Sequence, residues 1–194
     1  MKFGITIPLH RGLDAQVNID LAKRAEELGY DSIWISDHVI LPKIYKDRFS
    51  DILYDPFVIL AYIAAYTNKI KLGTSVLILP YRNPIVVAKM IATLDVLSGG
   101  RIIFGVGPGW MSEEFDTLGI PFNDRGKRTD EYIRIFKDLL IKDEHNFKGN
   151  FYNFSKIKFY PKPHQKPHPP IWIGGNSEAP PPQVGASFKK ALIA

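Results

Sequence analysis

Strand-like and helix-like segments alternate along this chain, and the alternation predicts an α/β fold on a parallel sheet. Three observations carry that expectation. First, five apolar runs, near 3–8, 31–36, 70–79, 101–106 and 170–173, are separated by helical patterns through short connections. That is the order of right-handed βαβ crossovers. Second, four of these runs end in polar or glycine residues: Asp37-His38, Thr74-Ser75-Val76, Gly107-Pro108-Gly109-Trp110 and Gly174-Gly175-Asn176. A parallel sheet gathers such ends on one rim. Third, 194 residues at 45% hydrophobic content suit one domain, and a chain of this length buries roughly 70% of its unfolded surface.

The elements follow in order. Phe3–Ile7 is a first strand halted by Pro8. Asp14 caps a helix whose apolar face is Val17, Leu21, Ala25 and Leu28, and Gly29 ends it. Asp31–Ser36 is a second strand, apolar enough to be buried on both faces. After a mixed loop over 39–54, Asp55-Pro56 opens a helix with Phe57, Leu60, Ala61 and Ala64 on one side. Ile70–Leu79 is the third strand. Asn83-Pro84 opens a helix with Val87, Ala88, Ile91 and Leu94 inward, closed by Gly99-Gly100. Arg101–Val106 is the fourth strand, a short helical piece follows near Ser112–Leu118, and a longer helix spans roughly 126–142. Residues 147–160 alternate aromatic and polar around Gly149-Asn150, which reads as an inserted β-hairpin. A proline-rich stretch leads to the fifth strand, Pro170–Ile173, and Pro180-Pro181-Pro182 forbids a continuing helix in the tail.

Composition narrows the function. The chain has no cysteine, which excludes thiolate metal sites and cysteine nucleophiles. Net charge is +5, but the basic residues are scattered, so nucleic acid is not an expected partner. No apolar run approaches the ~18 residues of a membrane span and no leader precedes the first strand, so a cytoplasmic protein is expected. No metal site is expected either: His164 and His168 lie in a proline-rich stretch rather than on a helix.

The runs SIWISDH, KLGTSVLILPYRNP, LSGGRIIFGVGPGWMSEEFDTLGIPFNDRGKRTDEY and PHPPIWIGGNSEA together resemble the bacterial luciferase-like monooxygenase superfamily, in its F420-dependent oxidoreductase branch. The resemblance runs over about residues 1–179, leaving 180–194 as an atypical proline-rich tail. It implies a (β/α)8 TIM barrel with FMN or coenzyme F420 at the C-terminal ends of the strands. Five strands are present where the family has eight, so the expected fold is a partial TIM barrel of about five parallel βα units plus the hairpin. The implied function is oxidoreductase or monooxygenase chemistry on a small organic substrate. The alternative is an inactive or associating fragment of such an enzyme, forming a homo-oligomer through open sheet edges. An open flavodoxin-like sheet that binds without catalysis is a third reading.

The resemblance also assigns residues. It places His38 beside the flavin as the catalytic candidate, hydrogen-bonding or shuttling a proton. Asp37 orients His38 or accepts from the ring; equally, it caps the loop. Ser75 and Val76 fall where the family carries a non-prolyl cis peptide behind the ring. Gly107 and Gly109 form a turn open to close approach of a ligand. Trp110 stands where related sugar-phosphate dehydrogenases carry an acid, and it stacks on the ring or walls the pocket. Gly174, Gly175 and Asn176 resemble a phosphate-facing turn. Glu113 and Glu114 read as helix-start carboxylates complementing the dipole, with catalysis as the lesser alternative. Arg125, Lys127 and Arg128 read as a solvated basic face, with contact to a phosphate as the alternative.

Overall fold

A computed structural model describes residues 1–7, 14–45, 53–174 and 189–190. Its main sheet is parallel throughout. The strands run β1 (Gly4–Thr6), β2 (Ser32–Ile35), β3 (Lys71–Thr74), β5 (Ile102–Gly107), β8 (Ile171–Ile173) and β9 (Lys189–Lys190), in that spatial order. A short β4 (Leu77–Ile78) continues the third strand and also pairs with β5. The five main strands are therefore those expected, with the third one interrupted at Ser75-Val76. β9 is an addition: the tail returns two residues to the outer side of β8, in parallel register with Trp172 and Ile173.

Three of the helices start where an aspartate or asparagine side chain caps them. Asp14 accepts from Val17 N ahead of α1 (Ala15–Glu27). Asp55 accepts from Phe57 N and Val58 N ahead of α2 (Pro56–Tyr66). Asn83 accepts from Ile85 N and Val86 N ahead of α3 (Pro84–Leu97). In α2 and α3 proline occupies the first helical position, where its missing N–H costs nothing. A short α4 (Ser112–Thr117) and a long α5 (Arg125–Ile141) complete the set among the described residues. Consecutive helices α1, α2, α3 and α5 pack side by side. β6 (His145–Lys148) and β7 (Asn153–Ile157) form the expected antiparallel hairpin.

The core lies between sheet and helices. Val87, Ala88, Ile91 and Leu94 of α3, and Tyr132, Ile135, Phe136, Leu139 and Leu140 of α5, are buried as their spacing requires. Two helices are rotated from the expected face. In α1 the buried residues are Asn18, Ile19, Ala22 and Ala25, while Leu21 and Leu28 are 39% and 59% exposed. In α2 Ile59 and Ile63 join Phe57 and Leu60, and Ala61 is exposed. An apolar residue every three or four positions is compatible with more than one helix phase, and docking on the sheet selects among them.

The opposite face of the sheet is organised around Trp34. Its indole lies over three glycines of neighbouring strands. A Cβ on Gly4 would meet its Nε1 at 2.5 Å and one on Gly73 its Cε3 at 2.4 Å; one on Gly105 would lie 3.6 Å from its Cζ3 but is excluded first by the Thr74 carbonyl oxygen. Trp172 meets it at 5.0 Å between ring centres, and Ser32 Oγ accepts from its Nε1 at 2.9 Å. Large and small residues thus interdigitate, as side chains do inside a βα barrel.

Candidate active site at the C-terminal rim

All strands of the main sheet point the same way, so the segments after β2, β3, β5 and β8 meet on one rim. The third strand supplies the centre. A non-prolyl cis peptide joins Ser75 to Val76, as the resemblance implied, and it separates β3 from β4. Ser75 N donates to Ile35 O at 2.7 Å, and Thr74 Oγ1 donates to Gly105 O at 2.6 Å, tying the bulge to both neighbouring strands.

Val76 explains two glycines. A Cβ on Gly107 would lie 2.7 Å from Val76 Cγ2, and one on Gly174 would lie 2.5 Å from Val76 Cγ1. The space left by both residues is filled by the valine methyls. Packing against Val76 is thus by itself a reason for glycine at both positions. Gly109 has a different reason, a φ of +79° that an L side chain rarely adopts. Gly175 and Asn176 lie outside the described residues.

The loop after β2 is held by two carboxylates. Asp37 is buried, and both of its oxygens are engaged. Arg82 Nη1 donates to Oδ2 at 2.6 Å and Nη2 to Oδ1 at 2.8 Å, while Ile78 N donates to Oδ2 at 2.9 Å. Arg82 also reaches Asp55 Oδ2 at 3.0 Å. Burial pushes the Asp37 carboxyl above the usual aspartate range, against the pull of Arg82. Asp37 therefore anchors the loop, one of the two roles open to it from sequence.

Glu114 meets His38. Its Oε2 lies 2.9 Å from His38 Nδ1 and accepts from Tyr81 Oη at 2.8 Å, and its Oε1 accepts from Val39 N at 2.6 Å and Ile40 N at 3.2 Å. The side chain has no exposed surface. Burial alone would raise its pKa, but the hydrogen bonds from His38, Val39, Tyr81 and Ile40 outweigh it and hold the group below the usual glutamate range. Burial, with Glu114 close by, pushes the Tyr81 phenol far above its ordinary value, so it stays protonated and donates. The helix-start reading of Glu114 is thus incomplete: it stands in the first turn of α4, but its carboxylate reaches back to the loop after β2.

Aromatic residues flank His38. Trp110, 48% exposed, meets the His38 ring edge-on at 6.4 Å and the Tyr45 ring at 5.5 Å. Arg125 is not solvated as expected. Its Nε donates to Gly109 O at 3.2 Å and its guanidinium lies 3.8 Å over Phe122, so the start of α5 is tied to the glycine turn.

Tyr81, Arg82 and Tyr45 were not singled out from sequence, and Glu114 was read there mainly as a helix-start carboxylate. Arg82 left one signal: a lone charge inside the apolar run LILPYRNP needs a buried partner. Glu114 left none, because its partner His38 is 76 residues away.

A parallel βα half-barrel with an interrupted third strand and a polar cluster at its C-terminal rim defines the class of protein. The family follows: residues 1–181 match the model for luciferase-like monooxygenases, and the chain belongs to that family. It is 36% identical over 163 residues to an F420-dependent glucose-6-phosphate dehydrogenase of Amycolatopsis mediterranei, covering 81% of this chain and 47% of that protein. It is 39% identical over 120 residues to an FMNH2-dependent dimethylsulfone monooxygenase of Pseudomonas putida, covering 60% of this chain and 33% of that one. The crystal structure of the monooxygenase RslO1 from Streptomyces bottropensis superposes with a TM-score of 0.78 at 27% identity, covering 89% of this chain and 53% of that one. The chain thus spans about half the length of the curated relatives it matches, and it forms a partial TIM barrel.

Proposed function

We propose that this chain carries the flavin-facing half of an oxidoreductase acting on a small organic substrate in the cytoplasm, with coenzyme F420 or FMN as cofactor. Residues 1–179 would form the barrel unit and 180–194 a tail. The observation that carries the reading is the rim itself, where the Val76 bulge, the Gly107–Trp110 turn and His38 converge at the strand ends. Family membership supports it, as do relatives that use F420 in one case and FMNH2 in another.

The residues fit a flat ring. Val76, seated between Gly107 and Gly174, offers an apolar backing. Trp110, beside His38, offers an exposed aromatic wall. The cofactor supplies hydride transfer or, for FMN, oxygen activation. The chain's part is to bind, orient and exclude water, with His38 holding or moving a proton. Trp110 in place of an acid speaks against the acid–base pair of the sugar-phosphate dehydrogenases. Residues from five strands enclose only part of a ring, so the chain alone is expected to bind weakly. Titration with F420 and with FMN, followed by isothermal calorimetry and run to millimolar concentration, is expected to show saturable binding of one of them, reduced in Gly107→Val. Saturable binding of neither overturns cofactor binding by this chain and leaves the second reading.

That second reading is a unit that functions by association. It rests on the outer side of β1, which no strand among the described residues pairs, and on the exposure of Phe3 and Ile5 there, at 58% and 37%.

A further inference from the structure

The Glu114 carboxylate accepts at both oxygens, and each contact has a different consequence. Val39 N and Ile40 N on Oε1 fix the backbone of the loop. Tyr81 Oη and His38 Nδ1 on Oε2 fix two side chains. Four contacts fill the roughly four lone-pair positions of an ionised carboxylate. Such a group has no proton to give. The Val39 and Ile40 amides and the Tyr81 hydroxyl can only donate to it, so the proton between Glu114 and His38 belongs to Nδ1.

We infer that Glu114 is the positioning residue of this site: it holds His38 as the Nδ1–H tautomer, so that the ring's acid–base atom is Nε2. A neutral His38 then presents its lone pair at Nε2, the atom that can take up a proton. The part this plays in a reaction rests on the flavin-rim reading above, whereas the tautomer itself does not. The same carboxylate couples ring orientation to loop backbone, so His38 cannot turn without releasing Val39 and Ile40 or leaving Oε2 a donor short.

The test uses the whole chain without cofactor. Protein labelled with 15N-histidine is examined by long-range 1H–15N correlation NMR at a pH where the ring is neutral, with the His38 signals assigned by their loss in His38→Gln. The expected pattern is a protonated Nδ1 and a bare Nε2. In Glu114→Gln, whose side-chain amide can turn an N–H toward the ring, the population is expected to shift to the Nε2–H form. In Tyr81→Phe, which keeps the carboxylate, the Nδ1–H form is expected to persist. A wild-type ring mainly in the Nε2–H form overturns the inference, and so does a folded Glu114→Gln with an unchanged tautomer. Should Glu114→Gln fail to fold, the wild-type spectrum alone decides. An Nδ1–H tautomer in a chain that binds neither F420 nor FMN would sink the functional reading and leave the positioning role intact.

Discussion

Val76 and its two glycines show how tightly single residues constrain the rim. The Cβ that Gly107→Ala adds would stand 2.7 Å from a methyl of a stiff β-branched side chain. The expected cost is about 1–3 kcal/mol in urea unfolding. Val76→Ala on the same background should recover part of that loss, and a strictly additive double mutant would refute the contact as its source. The pair Asp37–Arg82 makes a second case. Asp37 has no exposed side-chain surface and Arg82 only 16%. Arg82→Met should destabilise by about 3–5 kcal/mol, because it leaves a buried carboxyl without its partner. Arg82→Lys should rescue little, since an ammonium cannot reproduce the two-pronged contact.

Glu114 also sets a pH dependence. Its folded pKa lies below the ordinary value, so its stabilising contribution is present above the unfolded glutamate pKa of about 4.3. It is lost as pH falls through the folded value. Asp37, with its carboxyl raised, does not work in that sense. Amide exchange at Val39 and Ile40 should therefore accelerate relative to global unfolding as pH drops below about 4.3, and Glu114→Gln should remove that acceleration.

At the scale of elements, carboxylates again do the joining. Glu131 of α5 is buried and accepts from Asn150 N at 2.6 Å and from Phe151 N and Tyr152 N at 2.9 Å, the turn of the inserted hairpin. A Cβ on Gly149 would sit 2.4 Å from the Glu131 carboxyl carbon, so a side chain at 149 would displace that carboxylate. Glu26 of α1 likewise accepts from Asn68 N, Lys69 N and Ile70 N just before β3. Glu131→Ala should cost about 1–3 kcal/mol and open amides 150–152 to exchange first. Equal protection of those amides in the variant would show that the hairpin is held by its aromatic contacts instead, among them Tyr132–Tyr152 at 5.4 Å.

The molecule as a whole has an open side. Among the described residues β1 pairs only with β2, its residues 4–6 are exposed, and Phe3, Leu21, Leu28 and Tyr30 add apolar surface. Among the described residues no helix is long and apolar enough to cross a membrane. An unpaired strand edge next to apolar surface favours pairing with another chain. Light scattering after size exclusion should report a mass above that of one 22.0 kDa chain at micromolar concentration. Ile5→Lys should shift it toward the monomer. A wild-type monomer across that range would remove association through β1.

Local signals determined much of this protein. The Asx caps with following prolines set where α2 and α3 begin, and the apolar periods of α3 and α5 set the faces they bury. The alternation of strand and helix implied a parallel sheet, and hence one rim for His38, Ser75, Gly107 and Gly174. These depend on neighbours within a few residues, which a sequence displays. The tertiary structure decided what depends on distant ones. Leu21 and Leu28 satisfy a helical period yet face outward, because the sheet chose the Ile19–Ala22 side. Asp37 was legible as polar and close to His38, but only folding brought it Arg82 from 45 residues away. Glu114 read as a dipole-complementing residue because the donors that claim its carboxylate lie on two other loops. Buried polar atoms must find partners wherever the chain places them, and the fold, not the local sequence, brings those partners within reach.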